Sequence, residues 1–258
     1  MTNFTISTAI FALIAGLVPA FVWLWFWLKE DKAKPEPKIL IARTFLFGAL
    51  AVIPAFVGQK LILTWLTNLT WLASPFIVLQ IESNQFFFST VLFLVLLALI
   101  EEVTKFFAAY FGGFINRNYD EPIDAMIYII TAAIGFAAVE NTLFLIDLMS
   151  GEQTTTLAFL LTSNLRFLGA TVAHITSSAI LGGLVALTFY ANRLTKFIAT
   201  ISGLILATLL HAIFNLLIIN SIGFDIIYIF AFLWLVAILI IYIFERIKAI
   251  KKPIINSF

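Results

Sequence analysis

The chain has 258 residues, of which 62% are hydrophobic and only 11% are charged, and its formal net charge is +1. This composition differs strongly from that of soluble domains and indicates a protein embedded in a lipid bilayer. The absence of cysteine excludes disulfides, thiolate metal ligands and a cysteine nucleophile. The polar segments lack the basic and aromatic pattern of nucleic-acid-binding proteins, so we expect no nucleic-acid partner.

Long apolar runs predict an all-α, polytopic membrane protein with about seven transmembrane helices. In chain order, the runs are residues 6–28, 39–57, 86–111, 123–148, 157–190, 197–219 and 224–244. We expect a single integral-membrane domain over residues 1–258. Its predicted parts are N-terminal helices with an interfacial segment (1–85), a central region (86–220), and a last helix with a basic tail (221–258).

Residues 61–81 are ambiguous, because they are uncharged but contain several polar side chains and two tryptophans. Their length would allow a crossing, whereas their composition suits an interfacial or re-entrant segment. A crossing would turn Arg117, Arg193, Lys196 and the basic tail to the outside, against the positive-inside rule. We therefore predict that residues 61–81 do not cross the membrane, and that the N-terminus lies outside and the C-terminus inside.

The run 86–111 contains Glu101, Glu102 and Lys105, although one ionised group at mid-membrane costs about 2.5–3.5 kcal/mol on insertion scales. Glu101 and Lys105 are four residues apart, so they share a helix face and offset each other's charge. Glu102 lies about 100° further round the helix and has no such partner there. We expect Glu102 to contact other helices.

Three other runs also contain polar groups that are unusual in a membrane span. These groups are Glu140, Asn141, Arg166, His174, His211 and Asn215. Taken singly, each has an ordinary structural interpretation, such as an interhelical hydrogen bond or an arginine that reaches towards the membrane surface. Together, four helices each supply a titratable side chain at overlapping depth in the hydrocarbon region. This coincidence predicts one intramembrane polar site.

Glutamate and histidine at one depth can activate water by general base catalysis, with or without a metal ion. Two histidines and one carboxylate form a three-ligand zinc set with an open fourth position, and Glu140, His174 and His211 are the candidates. The HExxH, Gly-x-Ser-x-Gly and Gly-x-Gly-Asp signatures of other proteases are missing.

Four motifs in order resemble the PrsW family of intramembrane proteases, which belongs with the type II CAAX prenyl endopeptidases and bacteriocin-processing enzymes. They are EExxK at 101–105, FxxxEN at 136–141, the His174 helix and HxxxN at 211–215. The resemblance covers roughly residues 86–220. It implies a protease in the bacterial plasma membrane that cleaves membrane-anchored proteins, with site-1 cleavage of an anti-sigma factor as the family's founding activity.

Carried over by position, the resemblance implies that Glu101 and Glu102 are catalytic carboxylates, with Glu101 as the base that activates water. The other catalytic groups that it implies are Glu140, His174, His211 and Asn215, the last to stabilise the oxyanion. The supporting residues are Lys105, Asn141 and Arg166. The prenyl-protease pattern has FxxxH where this chain has Glu140, which favours the PrsW type. The resemblance leaves open whether the site uses Zn²⁺ or no metal.

Two hypotheses from other functional classes compete with a protease. A proton-coupled transporter or channel would also use intramembrane glutamate and histidine, but no internal repeat of the kind found in many transporters is visible. A non-catalytic membrane scaffold or immunity protein of the same fold would tolerate loss of Glu102 and His174.

Overall fold

The computed structural model describes residues 6–30, 34–68, 84–150 and 155–251, and no β-strand occurs within these ranges. The helices are α1 (Ile6–Glu30), α2 (Lys38–Leu50), α3 (Val52–Asn68), α4 (Asn84–Ala109), α5 (Pro122–Ser150), α6 (Thr156–Leu165), α7 (Thr171–Leu187), α8 (Arg193–Ile219) and α9 (Asp225–Lys248). A π-helical turn, Tyr110–Phe114, follows α4, and a second, Arg166–Ala170, joins α6 to α7.

Six helical stretches are long and apolar enough to cross a membrane. They are Ile6–Lys29, Lys38–Trp65, Pro122–Ser150, Thr156–Leu187, Arg193–Ile219 and Asp225–Lys248. Helix α4, with 26 residues, has the length of a further span. Large apolar side chains such as Leu235 and Ile238 face outward, as lipid contact requires. The predicted polytopic all-α membrane protein is confirmed.

Helices α2 and α3 form one nearly continuous rod that is longer than the predicted span 39–57. Only Ala51 separates them, and Pro54 is tolerated because it lies in the first turn of α3, where backbone N–H groups lack intrahelical partners. Lys60 is exposed on the helix surface, so its charge does not end the helix. Of the ambiguous segment 61–81, residues 61–68 are therefore helical, and the rest lies outside the described residues.

Helix α5 lies at the centre of the fold, with most of its length buried against α1, α2 and α7. Small residues allow this packing. A Cβ atom added at Gly135 would lie 2.1 Å from the carbonyl oxygen of Phe45, and one added at Gly48 would lie 2.1 Å from that of Ala132. The backbones of α2 and α5 are thus in direct contact, which fixes the position of the α5 segment that carries Glu140.

Two loops that are predicted to lie inside meet at the same end of the helices. Lys34 Nζ is 2.6 Å from Asp120 Oδ1 and 3.4 Å from Glu121 Oε1. The Asp120 carboxylate, and to a lesser extent that of Glu121, raises the pKa of the exposed Lys34 ammonium above its usual value. Close by, the Tyr128 hydroxyl donates a hydrogen bond to Glu36. These contacts agree with the predicted alternation of the helices, while the N-outside orientation stays a prediction.

Candidate active site

The second π-helical turn shapes one wall of the polar site. Its first residue, Arg166, points towards α5, and its Gly169 packs so closely on α9 that an added Cβ atom would lie 2.6 Å from the Phe230 ring. Such turns insert one extra residue into a helix and are frequent at functional sites. The irregularity at Arg166–Ala170 follows directly after the end of α6.

Glu102 is fully buried and binds three groups, two of them on other helices as predicted. Lys105 Nζ lies 2.7 Å from Glu102 Oε1, and His211 Nδ1 of α8 lies 2.9 Å from the same oxygen. Ser178 of α7 donates to Oε2 at 2.6 Å. These contacts satisfy the carboxylate, which stabilises a charge that burial alone would disfavour.

The expected Glu101–Lys105 pair is only the weaker contact of Lys105. Its Nζ atom is 3.8 Å from Glu101 Oε2, against 2.7 Å from Glu102 Oε1. Residues three and four apart both lie near one helix face, so spacing alone does not decide between them. His211 and Ser178 hold the Glu102 carboxylate inward, towards the buried ammonium.

His174 contacts one charged group through each ring nitrogen. Its Nδ1 is 2.8 Å from Lys105 Nζ, and its Nε2 is 2.6 Å from Glu140 Oε2. Because an ammonium can only donate, Nδ1 accepts and the proton of the neutral ring is assigned to Nε2, which faces the Glu140 carboxylate. The ring is thereby fixed in one tautomer and one orientation.

Arg166 contacts residues of the polar site, so its role is more than to reach towards the membrane surface. Its Nη2 lies 3.0 Å from Glu140 Oε1, and its Nε donates to Asn141 Oδ1 at 2.6 Å. Asn141 in turn donates to Thr171 Oγ1 at 2.9 Å. This chain of contacts holds the end of the Glu140 side chain in place.

Glu101 and Glu140 each have one oxygen without a hydrogen bond among the described residues, but only that of Glu140 lies as close as 2.6 Å to a ring nitrogen. Glu101 Oε1 accepts a hydrogen bond from Gln59 Nε2 at 2.8 Å. Oε2 is buried without a hydrogen-bond partner among the described residues. It lies 3.6 Å from His211 Nε2 and 3.9 Å from His174 Nδ1. A buried carboxylate oxygen without a hydrogen bond raises the free energy of the folded protein unless a proton donor or a cation binds it.

A cavity of about 270 Å³ adjoins these groups. Of the predicted catalytic residues, those that line it are Glu101, Glu140, His174, His211 and Asn215. Glu102 lies behind this wall and is completely buried. The four helices thus bring the predicted polar residues together, with five of them facing one cavity.

Glu101, His174 and His211 form the group in which one ligand atom from each residue lies within 4.8 Å of the others. Glu101 therefore occupies the ligand position that the sequence assigned to Glu140. Glu140 instead contacts His174 through the other ring nitrogen, Nε2. The residues fit a divalent cation, because each histidine also has a carboxylate on its other nitrogen, as is usual around zinc: Glu102 for His211 and Glu140 for His174. A cation bound through His174 Nδ1 would replace its hydrogen bond from Lys105.

Sequence reasoning missed Gln59 and assigned no role to Ser178. Gln59 lay beyond the predicted end of its span, although an uncharged amide in an apolar helical run was a usable signal. Ser178 lies one turn after His174 on the same helix, in a stretch of three hydroxyl side chains, 176–178. Each residue binds one carboxylate of the Glu101–Glu102 pair.

Comparison with known proteins gives one consistent result. The family model described as PrsW family intramembrane metalloprotease matches residues 36–243. The protein called Protease PrsW of Geobacillus kaustophilus is 32% identical over 145 residues, which cover 56% of each chain. Its namesake in Oceanobacillus iheyensis is 33% identical over 134 residues, covering 52% of this chain and 54% of the relative.

A third Protease PrsW, from Halalkalibacterium halodurans, is 26% identical over 181 residues, covering 70% of this chain and 68% of the relative. The chain thus spans little more than half the length of the first two relatives that it matches. No solved structure matches it.

Proposed function

Because the chain belongs to the PrsW family of intramembrane metalloproteases, we propose that it is an endopeptidase that hydrolyses membrane-anchored proteins inside the bilayer. The chain is an integral protein of a bacterial membrane. One observation carries the proposal. Glu101, whose Oε2 has no hydrogen-bond partner in the part of the chain that the structure describes, lines a cavity together with His174, His211 and Asn215.

In the proposed reaction, Glu101 Oε2 accepts a proton from a water molecule in the cavity as the water oxygen attacks the peptide carbonyl carbon. The same carboxyl group then delivers the proton to the leaving amide nitrogen. The Asn215 amide donates a hydrogen bond to the carbonyl oxygen as that oxygen becomes negative. Gln59 holds the other Glu101 oxygen, so that Oε2 stays directed at the cavity.

Glu102 and Glu140 act in this proposal by orienting the two imidazole rings through His211 Nδ1 and His174 Nε2. Where the enzyme uses Zn²⁺, Glu101, His174 and His211 would hold it, with Glu101 as a ligand and not as the base, and the ion would polarise the peptide carbonyl and lower the pKa of water. Glu102 and Glu140 orient the histidines in the same way whether or not the site holds a metal ion.

We extend the proposal to the substrate. The site lies within the membrane-spanning helices, where a protein anchored in the same bilayer can reach it. The resemblance described above suggests an anti-sigma factor. In cells that express the inactive Glu101→Gln variant, uncut anti-sigma factor should accumulate.

The direct test uses the purified full chain in liposomes with a panel of single-span bacterial proteins that includes an anti-sigma factor. We expect two fragments from the wild type and none from Glu101→Gln or His211→Ala, with folding checked by thermal unfolding. Leu235→Ala, which changes a lipid-facing residue, is the control and should cleave normally. Unchanged cleavage by both site variants would refute the assignment. Ion flux that depends on Glu140, without proteolysis, would favour a transporter.

A further inference from the structure

Besides the carboxylates and histidines, the cavity beside Glu101 is lined by the polar residues Thr162, Arg166 and Asn215, and the rest of its lining is apolar. Three aromatic rings, those of Phe144, Phe214 and Phe230, contribute to its wall. Ala170 and Ala173 contribute small side chains from the π-helical turn and from α7. The volume of about 270 Å³ is many times the roughly 10–15 Å³ that one water needs by the same kind of measure. The space is therefore large enough for an aliphatic or aromatic side chain.

The apolar part extends from the reactive groups towards the start of α9. Ile226, the second residue of that helix, lines the cavity together with Phe230 one turn later. A peptide bond held beside Glu101 would thus have one neighbouring side chain pointing along this apolar wall. A charged side chain packed against Ile226 and Phe230 would lose its hydration, whereas an apolar one would lose nothing.

We infer that this cavity is the specificity pocket of the enzyme and takes a large apolar side chain next to the scissile bond, its size set by Ala170 and Phe230. The inference rests on the proposed proteolysis. Phe230 is fixed in place because its ring packs directly on Gly169. Ala170 is the next residue of the same turn and is partly exposed to the cavity, so a longer side chain there can extend into free space.

The first test measures side-chain preference at the cleaved bond. Mass spectrometry locates the bond that the wild type cuts in a single-span reporter, and flanking residues are then replaced by Ala, Leu or Phe. We expect Ala170→Leu to reduce the preference for Phe over Ala by about tenfold or more, because steric changes of this size have such effects. Phe230→Ala should increase the preference for Phe over Ala at the cleaved bond, because it enlarges the cavity.

The matched control is Leu168→Ala, in the same π-helical turn but with a side chain exposed on the outer surface. This variant should keep the wild-type preference. The pocket assignment would be wrong if Ala170→Leu and Phe230→Ala changed the cleavage rates of all reporters by the same factor, or changed none of them.

A second test detects binding without catalysis, using the absence of cysteine from the chain. In the Glu101→Gln background, Ala170→Cys is combined with a reporter whose membrane segment carries one cysteine at successive positions. We expect a disulfide at one narrow set of reporter positions, and none with Leu168→Cys. If the crosslink forms but the wild-type chain cleaves no reporter, the pocket assignment would stand and the proposed proteolysis would be wrong. Equal crosslinking from positions 168 and 170 would reject the pocket.

Discussion

Glu101 and Glu102 are neighbours in the sequence but have different surroundings. Glu102 is fully buried and binds Lys105, His211 and Ser178. Glu101 lines the cavity and binds Gln59 through one oxygen, while the other has no hydrogen bond among the described residues. Adjacent helix positions point about 100° apart, so one carboxylate can be structural while the next is reactive.

This difference predicts separate effects of two matched substitutions. Glu101→Gln should abolish cleavage with little loss of stability, because the amide fits the same space beside Gln59. Glu102→Gln should also destabilise the fold, by about 3–5 kcal/mol if it behaves like other broken buried ion pairs, because Lys105 loses its closest carboxylate. Thermal unfolding in detergent, alongside cleavage rates, measures both. Equal stability of the two variants would contradict the distinction.

Gln59 should behave as a positioning residue for Glu101. We expect Gln59→Ala to lower kcat about 10–100-fold, as outer-shell substitutions do in metal sites, and to leave KM nearly unchanged. Lys60→Ala, at the exposed neighbouring position, is the control. Steady-state kinetics on the liposome reporter provide the measurement. A change in KM alone would assign Gln59 to substrate binding instead.

Among the secondary-structure elements, the contact of α2 with α5 requires glycine at specific positions. Gly135→Ala should destabilise the protein by about 1–3 kcal/mol or more, because the new methyl group would overlap the Phe45 carbonyl. Gly183→Ala is a matched control within a helix, where the nearest atom is 3.6 Å away. It should be neutral or stabilising by up to about 1 kcal/mol. Unfolding temperatures of the two variants test this, and similar values would contradict it.

The apolar runs identify most helices, because a membrane span must be long, apolar and internally hydrogen-bonded. Element ends were less predictable. The predicted span 39–57 ends before Lys60, but the exposed Lys60 side chain lies on a helix that continues to Asn68. The turn Arg166–Ala170 has no sequence signature, because an extra residue in a helical turn depends on packing against Phe230 and Glu140.

The membership of the site was predictable and its pairing was not. Charged and imidazole groups in lipid are costly, so their presence on four helices already indicated a common location. Which carboxylate contacts which ring depends on helix rotation, and rotation is set by packing across the whole bundle. The sequence therefore suggested Glu140 as a metal ligand, whereas Glu101 has the closer geometry.

At the scale of the whole molecule, metal binding tests whether Glu101 or Glu140 is the carboxylate ligand. If the purified enzyme carries zinc, we expect about one ion per chain, lost in Glu101→Gln, His174→Ala and His211→Ala. Glu140→Gln should retain the site with an affinity lowered about 10–100-fold, because Glu140 acts through His174. Elemental analysis and titration with a chelator measure this. Complete loss in Glu140→Gln with retention in Glu101→Gln would reverse the assignment.

The central claim is that water activated by Glu101 breaks a peptide bond inside the membrane. The most direct measurement is cleavage of a membrane-anchored reporter in ¹⁸O-labelled water, followed by mass spectrometry of both fragments. We predict one ¹⁸O atom in the new carboxyl terminus with the wild type and no product with Glu101→Gln. Labelled product formed at the wild-type rate by Glu101→Gln, or wild-type product without the label, would contradict the account.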